Sequence, residues 1–415
     1  MVAEQYPWPA ADGYRQRLHH LIAGLARAGE VDVLALHRQG TAPAAPPPLE
    51  GVRVPEVLQA GSDSGLRAWL PTWARGDMPR RGLGPDWEPV RAVLDDGRYR
   101  GGPRYDLVWC SHVDSWWALQ DRLDGVPAIV DFDNLENLAL RLRRRVPPRV
   151  APGDGAGAKG RAVARWAVSR GFDLVDERRW DRLQRRCAEG SERVVVCSEL
   201  DLQRSGVTNA VVVPNGCEDP SVGDAVADRR ALRGASPTFL FVGALDYEPN
   251  TEAVEWFVRE VLPVVRTRLP EATARIVGRG RDRVEWVAAE PGVELVGSVD
   301  DLQAELSRAD VSIVPIRVGA GTRLKVVEAL ANRIPLVTTT VGCEGIDVVD
   351  GRHALVADDA ADFAAACVRL AGDGELRQRL ADAGHELFAS RYDWDRIESE
   401  VAALATEVVR SAGRG

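Results

Sequence analysis

Lysine is almost missing from this chain: of 53 basic residues only Lys159 and Lys325 are lysines, and the rest are arginine. Cysteine is sparse and scattered. Its six copies show neither a C-x-x-C pair nor metal-ligand spacing, which excludes a disulfide scaffold or a zinc ribbon and reads as reduced thiols in a cytoplasmic protein. No apolar run approaches the ~20 residues that span a bilayer, and no signal peptide precedes the first motif, so the chain reads as neither integral nor exported. A net charge of −9 argues against a nucleic-acid partner. What remains is an ordinary globular composition, 415 residues and 45% apolar, with length for about two domains.

The most informative stretch runs from Ala309 to Gly345. Val311 to Ile316 reads as a buried strand. The Gly319-Ala320-Gly321 turn then passes the chain to a helix expected to be capped by Thr322. Strand, glycine turn and helix N-terminus form the geometry that cradles phosphate. Arg323 and Lys325 stand in the first turn, where cations oppose the helix dipole by roughly 0.3 to 1 kcal/mol each. An anion in front of them would explain the choice. A chain that otherwise uses arginine keeps a lysine here, where a compact point charge rather than a planar fork is wanted. Glu328, three residues on and on the same side, suits sugar hydroxyls. The plainer alternative is a Lys325–Glu328 pair on a solvated helix face, which leaves Arg323 and the two glycines unexplained.

Earlier in the chain, Tyr6-Pro7-Trp8-Pro9 and Gly13 look like the loop after a first strand, leading into a helix from about Tyr14 to Ala28 and a strand at Val31 to Leu36. Only five residues precede that loop. The first strand is therefore expected to be stunted, or the reading frame to begin upstream of Met1. Residues 40 to 64 read as a Pro- and Gly-rich excursion. Strands follow near 105–110 and at Pro127 to Phe132, with a helix near Ser115 to Arg122 between them. His112 and the group Asp131, Asp133, Asn134 to Glu136 stand at strand ends, where open α/β sheets bind ligands.

A Gly- and Pro-rich break near 147–160 interrupts a basic segment. Residues 141–186 hold 14 basic and 5 acidic side chains. This segment reads either as a solvated amphipathic helix or as a peripheral membrane contact, a docking surface for an anionic lipid headgroup or acceptor with Trp166, Phe172 and Trp180 interleaved. After a polar linker at 218–237, a second strand–helix series begins at Thr238. Two such series predict an α/β protein of two doubly wound, Rossmann-like parallel sheets whose C-terminal edges face a central cleft.

Several pieces occur in family order: Tyr6-Pro-Trp-Pro with Gly13, Val213-Pro-Asn-Gly216, Phe241-Val-Gly-Ala244 with Pro249-Asn250, Gly297-Ser298-Val299-Asp300, Gly319 to Ala329, and Thr340 to Gly345. The chain resembles the retaining glycosyltransferases of the GT-B fold, specifically glycosyltransferase family 4. The match spans nearly the whole chain and is specific in the C-terminal half. The resemblance implies an acceptor-binding domain at 1–232, a nucleotide-sugar-binding domain at 233–392, and a last helix at 393–415 crossing back to the first domain. It implies a catalytic group of His112, Arg323, Lys325 and Glu328. The donor would be held by Gly13, Gly243, Asn250, Gly297, Ser298, Val299, Gly319, Ala320, Gly321 and Thr322, and the acceptor side by Asp131, Asp133 and Asn134.

The implied reaction moves a glycosyl group from a nucleoside-diphosphate sugar to an acceptor hydroxyl on a glycan, a lipid-linked chain or a small molecule, with retention. It needs no cofactor and no obligatory metal. The leaving phosphate can take the acceptor's proton, so His112 is expected to position and stabilise rather than act as a base. Its alternative is a structural histidine at a strand end.

Glu328 matches the second acid of the family's E-x7-E motif, while the first acid's position is Ala320. The basic pair that many members carry after the first strand of the second domain is also absent, leaving Arg323 and Lys325 as diphosphate partners. Asp131-Phe132-Asp133 imitates a manganese D-x-D, but two doubly wound sheets favour an acceptor-side loop. Gly278-Arg279-Gly280 lacks the third glycine of a dinucleotide fingerprint. Competing readings are a sugar-nucleotide epimerase on the same fold and a non-catalytic two-lobed sugar-binding protein.

Overall fold

A computed structural model describes residues 1–10, 12–38, 44–54, 58–60, 66–83, 86–96, 105–123, 125–144, 155–220, 229, 231–232, 236–319, 321 and 323–413. Parts of the expected 40–64 excursion, the 147–160 break and the 218–237 linker lie outside them, as do Ala320 and Thr322. The chain divides into two compact units, Met1–Pro214 with Ile397–Gly415, and Asn215–Arg396. The division falls at Pro214 rather than near 232 because the residues after Pro214 are already bonded within the second unit. Cys217 donates to the Tyr392 carbonyl (2.9 Å) and accepts from the Trp394 amide. The Arg229 guanidinium donates to the carbonyls of Ala309 (3.0 Å) and Asn332 (2.8 Å).

In the first unit seven parallel strands, numbered in chain order, lie in the order β3-β2-β1-β4-β5-β6-β7. They are β1 (Val2–Ala3), β2 (Leu34–Arg38), β3 (Leu58–Ala60), β4 (Val108–Cys110), β5 (Ala128–Phe132), β6 (Arg193–Val196) and β7 (Ala210–Val212). The central strand is short, as expected, with Val2 and Ala3 both buried and Val2 in register with Leu34 and Cys110. The single strand expected at Val31 to Leu36 is broken instead. Val31–Asp32 pairs with Val52–Arg53 outside the main sheet, because the buried Asp32 carboxylate is turned to Arg53 (3.0 Å) and the Tyr105 hydroxyl (3.1 Å).

Helix α1 (Gly13–Ala28) starts where the Asp12 side chain caps the Arg15 amide, and buries Leu18, Leu21, Ile22 and Leu25, an i, i+3, i+4, i+7 stripe. Arg17 lies on this buried face. Its guanidinium makes a two-pronged bond to Asp131 (2.7 and 2.8 Å) and donates to the carbonyls of Val213 and Pro214, at the end of the unit's first segment. The remaining helices used below are α2 (Leu66–Arg75), α3 (Val113–Leu119), α4 (Glu136–Arg143) and α5 (Ala156–Glu189).

The second unit carries six parallel strands in the order β10-β9-β8-β11-β12-β13. They are β8 (Thr238–Val242), β9 (Thr273–Val277), β10 (Val293–Gly297), β11 (Val311–Val314), β12 (Leu336–Thr338) and β13 (Leu355–Val356). Apolar residues from these strands and the surrounding helices form one core that includes Phe239, Phe241, Ile276, Ile313, Val337 and Phe363. Helix α6 (Glu248–Trp256) follows β8, and α7 (Leu324–Ala331) follows β11. Helix α8 (Trp394–Ala412) begins at the end of this unit and runs into the first, where Ile397, Val401, Ala405 and Val408 are buried.

Arg17→Met should leave the Asp131 carboxylate buried without its guanidinium and destabilise the protein by about 3–5 kcal/mol, whereas Arg17→Met with Asp131→Leu should recover most of the loss. Urea denaturation of the three proteins tests this. A single-variant loss below about 1 kcal/mol would show that the pair does not hold α1 to the sheet.

Candidate functional site

Lys325 is half-buried at the start of α7. Its ammonium donates to Asn250 Oδ1 (2.7 Å) and lies 4.4 Å from the centre of the Phe241 ring. Asn250 is itself fixed, because its amide nitrogen donates to the Ala244 carbonyl (2.8 Å). Gly243 makes this arrangement possible: a Cβ there would sit 2.6 Å from Lys325 Nζ and 2.9 Å from Asn250 Nδ2. Burial, reinforced by the Arg323 charge, lowers the lysine to about 7, while Glu328 pulls the other way.

The buried Arg323 is the N-cap of α7 and makes no side-chain cap bond, so the helix starts one residue later than expected and without the serine-, threonine- or aspartate-type cap that a helix prefers. Burial lowers the Arg323 pKa against the opposing pull of Tyr247 and Glu344. Gly319 adopts φ 127°, in the region that favours glycine, and a Cβ on it would lie 3.0 Å from the Arg323 guanidinium. Glu328, one turn into α7, is half-buried, and burial pushes its carboxyl up.

Gly243, Asn250, Gly319, Arg323, Lys325 and Glu328 therefore share one place at the C-terminal ends of β8 and β11. Gly321 follows in the same turn. Gly297 ends β10 and accepts from the Gly278 amide (2.8 Å), and Ser298 is exposed beside the half-buried Val299. Gly13 belongs to the first unit, as the first residue of α1.

In the first unit His112 is buried at the start of α3. Its Nδ1 bonds to Asp114 Oδ1 (2.7 Å), and its Nε2 lies 3.6 Å from Glu136. Burial lowers this imidazole, but Asp114 and a hydrogen bond to Glu136 together push the pKa up to about 10. The pairing favours the imidazolium, the form with no lone pair to take a proton. Arg81 completes the cluster by pairing with Glu4 (2.9 Å) and Glu136. Of this network Glu136 stood with His112 among the strand-end candidates, whereas Glu4, Arg81 and Asp114 carried no such mark; an aspartate two residues after a strand-end histidine was the one available signal. Glu4, His112 and Asp114 each offer a ligand atom within 4.8 Å of the others. Arg81 supplies positive charge beside them, and the groups form an ion-pair network.

Asp131, assigned to the acceptor side, is committed to Arg17. Asp133 lies 3.8 Å from the same guanidinium, and Asn134 is half-buried beside it.

From residue 156 on, the basic segment lies on α5, whose two halves differ. In the second half the acids are engaged: Asp173 with Arg80 and Arg143, Asp176 with Arg80, Glu177 with Arg141 and Arg144, and Asp181 with Arg185. From 155 to 172 there is no acid and, among the described side chains, none is buried. Lys159, Arg161, Arg165 and Arg170 lie there, with Val163 47% and Val168 62% exposed. No described helix is long and apolar enough to cross a membrane.

Residues 236–373 match the family model described as glycosyl transferases group 1. Over its whole length the chain is 28% identical to the glycogen synthase of Mycobacterium tuberculosis, covering 95% of that protein. Among solved structures it resembles sucrose-phosphate synthase from Thermosynechococcus elongatus, with a TM-score of 0.66 and 20% identity over 99% of each chain. It also resembles Anabaena HepE in complex with UDP and glucose, with a TM-score of 0.58 and 12% identity over 98% of each chain. WaaG, a glycosyltransferase involved in lipopolysaccharide biosynthesis, gives a TM-score of 0.56 at 13% identity, covering 98% of this chain and 100% of WaaG. The two parallel-sheet units are those of the GT-B fold. The family match and the glycogen synthase relative support a GT-B glycosyltransferase.

An anion beside Lys325 favours the charged amine, so binding should take up protons near pH 7. Affinity for a nucleotide sugar, whose diphosphate has no group titrating in this range, should fall from pH 7 to pH 9. The limiting slope is one log unit per pH unit for a single titrating group. Calorimetry in buffers of different ionisation enthalpy measures the uptake. Lys325→Met should abolish it, and a flat pH profile in the wild type would contradict the assignment.

Proposed function

We propose that this protein is a retaining glycosyltransferase that moves a sugar from a nucleoside-diphosphate donor to an acceptor hydroxyl. The observation that carries the reading is the half-buried Lys325, held by a neutral amide beside Arg323 over a glycine floor. Such a site is incomplete without an anion, and a diphosphate supplies one. The UDP and glucose held by HepE support the same class of ligand for this chain.

In the proposed reaction the bond from the anomeric carbon to the diphosphate oxygen breaks. The acceptor oxygen forms its bond on the same face, and its proton passes to a departing phosphate oxygen. Arg323 and Lys325 stabilise the charge that develops on that diphosphate, a role worth several kcal/mol where water is excluded. Glu328 accepts from donor ribose hydroxyls. His112, held as a cation by Asp114, positions and stabilises rather than abstracts a proton. The acceptor is a glycan, a lipid-linked chain or a small molecule.

A thermal-shift panel of UDP, GDP, ADP and dTDP identifies the base, since ligand at 100 times Kd adds about 2.7 kcal/mol of stability. NMR of the product made from the matching nucleotide glucose should show the donor's anomeric configuration; inversion would overturn the mechanism. Lys325→Ala should weaken nucleotide-diphosphate binding by roughly 1.5–3 kcal/mol with the fold intact, and unchanged affinity would remove Lys325 from the site.

The cationic first half of α5 supports a second element of this reading, a peripheral contact with an anionic lipid surface, at about 1 kcal/mol per cation near the membrane. The protein should sediment with vesicles of phosphatidylcholine and phosphatidylglycerol but not with phosphatidylcholine alone. Arg161→Glu with Arg165→Glu should abolish that binding. Equal sedimentation of the variant would remove α5 as the contact.

A further inference from the structure

The loop between β8 and α6 holds a residue that the donor-site reading has not used. Tyr247 is 49% exposed, although both of its backbone polar groups are hydrogen-bonded. Its amide donates to the Ala244 carbonyl (3.2 Å). Its own carbonyl accepts from the amides of Asn250 (3.0 Å) and Thr251 (3.2 Å) and from the Thr251 hydroxyl (3.3 Å). Tyr247 is the N-cap of α6 and makes no side-chain cap bond. A tyrosine there forgoes the stabilisation that serine, threonine, aspartate or asparagine would bring, and it leaves an aromatic ring in water. Two local preferences broken at one well-ordered position point to use rather than to packing.

The position lies beside the phosphate cradle. Tyr247 is, with Glu344, one of the two side chains that offset the effect of burial on Arg323. Two residues further on, Pro249 stands against Gly319, whose missing side chain leaves room for the Arg323 guanidinium. Asn250, which holds Lys325, stands in the first turn of α6, three residues after Tyr247. Between Gly243 and Asn250 there is no Arg or Lys, so Tyr247 is the residue of that loop with a side-chain donor that is not already engaged in holding Lys325. A phenol is a good neutral donor to a phosphate oxygen.

We propose that Tyr247 contacts the donor directly, its hydroxyl donating a hydrogen bond to a non-bridging oxygen of the nucleoside diphosphate alongside Arg323 and Lys325. The assignment rests on the reading of this site as a diphosphate site.

Calorimetry of the full chain with a nucleoside diphosphate and with the corresponding monophosphate, chosen from the four-nucleotide panel, tests it on wild type, Tyr247→Phe and Tyr247→Asn. Tyr247→Phe should weaken the diphosphate about tenfold and the monophosphate less than twofold, as expected for loss of one hydrogen bond to a charged group. Tyr247→Asn should lose the same affinity while its melting temperature stays equal or rises, because asparagine restores the cap; a structural tyrosine would give a lower melting temperature instead. Unchanged diphosphate affinity in Tyr247→Phe, or an equal loss for both nucleotides, overturns the assignment and leaves the donor site standing. A wild-type protein that binds none of the nucleotides overturns the donor-site reading itself, and this assignment with it.

Discussion

The second unit is arranged around a lysine placed where a positive charge is hard to keep. Lys325 is half-buried, lies beside the Arg323 charge, and is held by an amide oxygen rather than a carboxylate. Each neighbouring feature serves that placement. Gly243 gives way to the ammonium, Asn250 is fixed by the Ala244 carbonyl so that its oxygen faces the lysine, and Gly319 makes space for the second cation. A carboxylate in place of Asn250 would neutralise the lysine within the protein. A neutral amide orients it and leaves the charge for a ligand.

The first unit solves the opposite problem. At the ends of β4 and β5 its charges are paired internally: His112 with Asp114, Arg81 with Glu4 and Glu136, and Arg17 with Asp131. Buried networks of this kind fix side chains in one arrangement but leave few free charges. The groups in this network are rigid, pre-oriented donors and acceptors. That suits neutral hydroxyls better than it suits a strongly charged partner.

The sequence made the two-sheet architecture and the grouping of residues at the start of α7 legible because both are written in local signals: apolar runs, glycine spacing, and cations at the wrong end of a helix. The cluster proposed as the donor site came from residues close in sequence, 319 to 328, joined by Gly243 after β8 and Asn250 in α6. What was not legible depends on contacts far apart in the chain. Asp131 looked like a strand-end ligand because Arg17, 114 residues away, is invisible to any local pattern. The break at Val33 depends on Arg53 and Tyr105, and the unit boundary on backbone bonds from Cys217 to Tyr392 and Trp394. Arg323 as an N-cap overturned a cap preference that tertiary demands outweigh.

Helix α8 has a consequence for the order in which the protein can be completed during its synthesis. The second unit is one continuous segment, Asn215–Arg396, whereas the first is closed only by Ile397–Gly415. Glu398 supplies its partner to His20 (2.7 Å) and to Arg27 on α1. At about 5–20 residues per second, the start of α1 leaves the ribosome tens of seconds before the residues that cover it. The unit that begins first therefore finishes last, and its α1 face, with His20 and Arg27 on it, waits through the whole synthesis of the second unit.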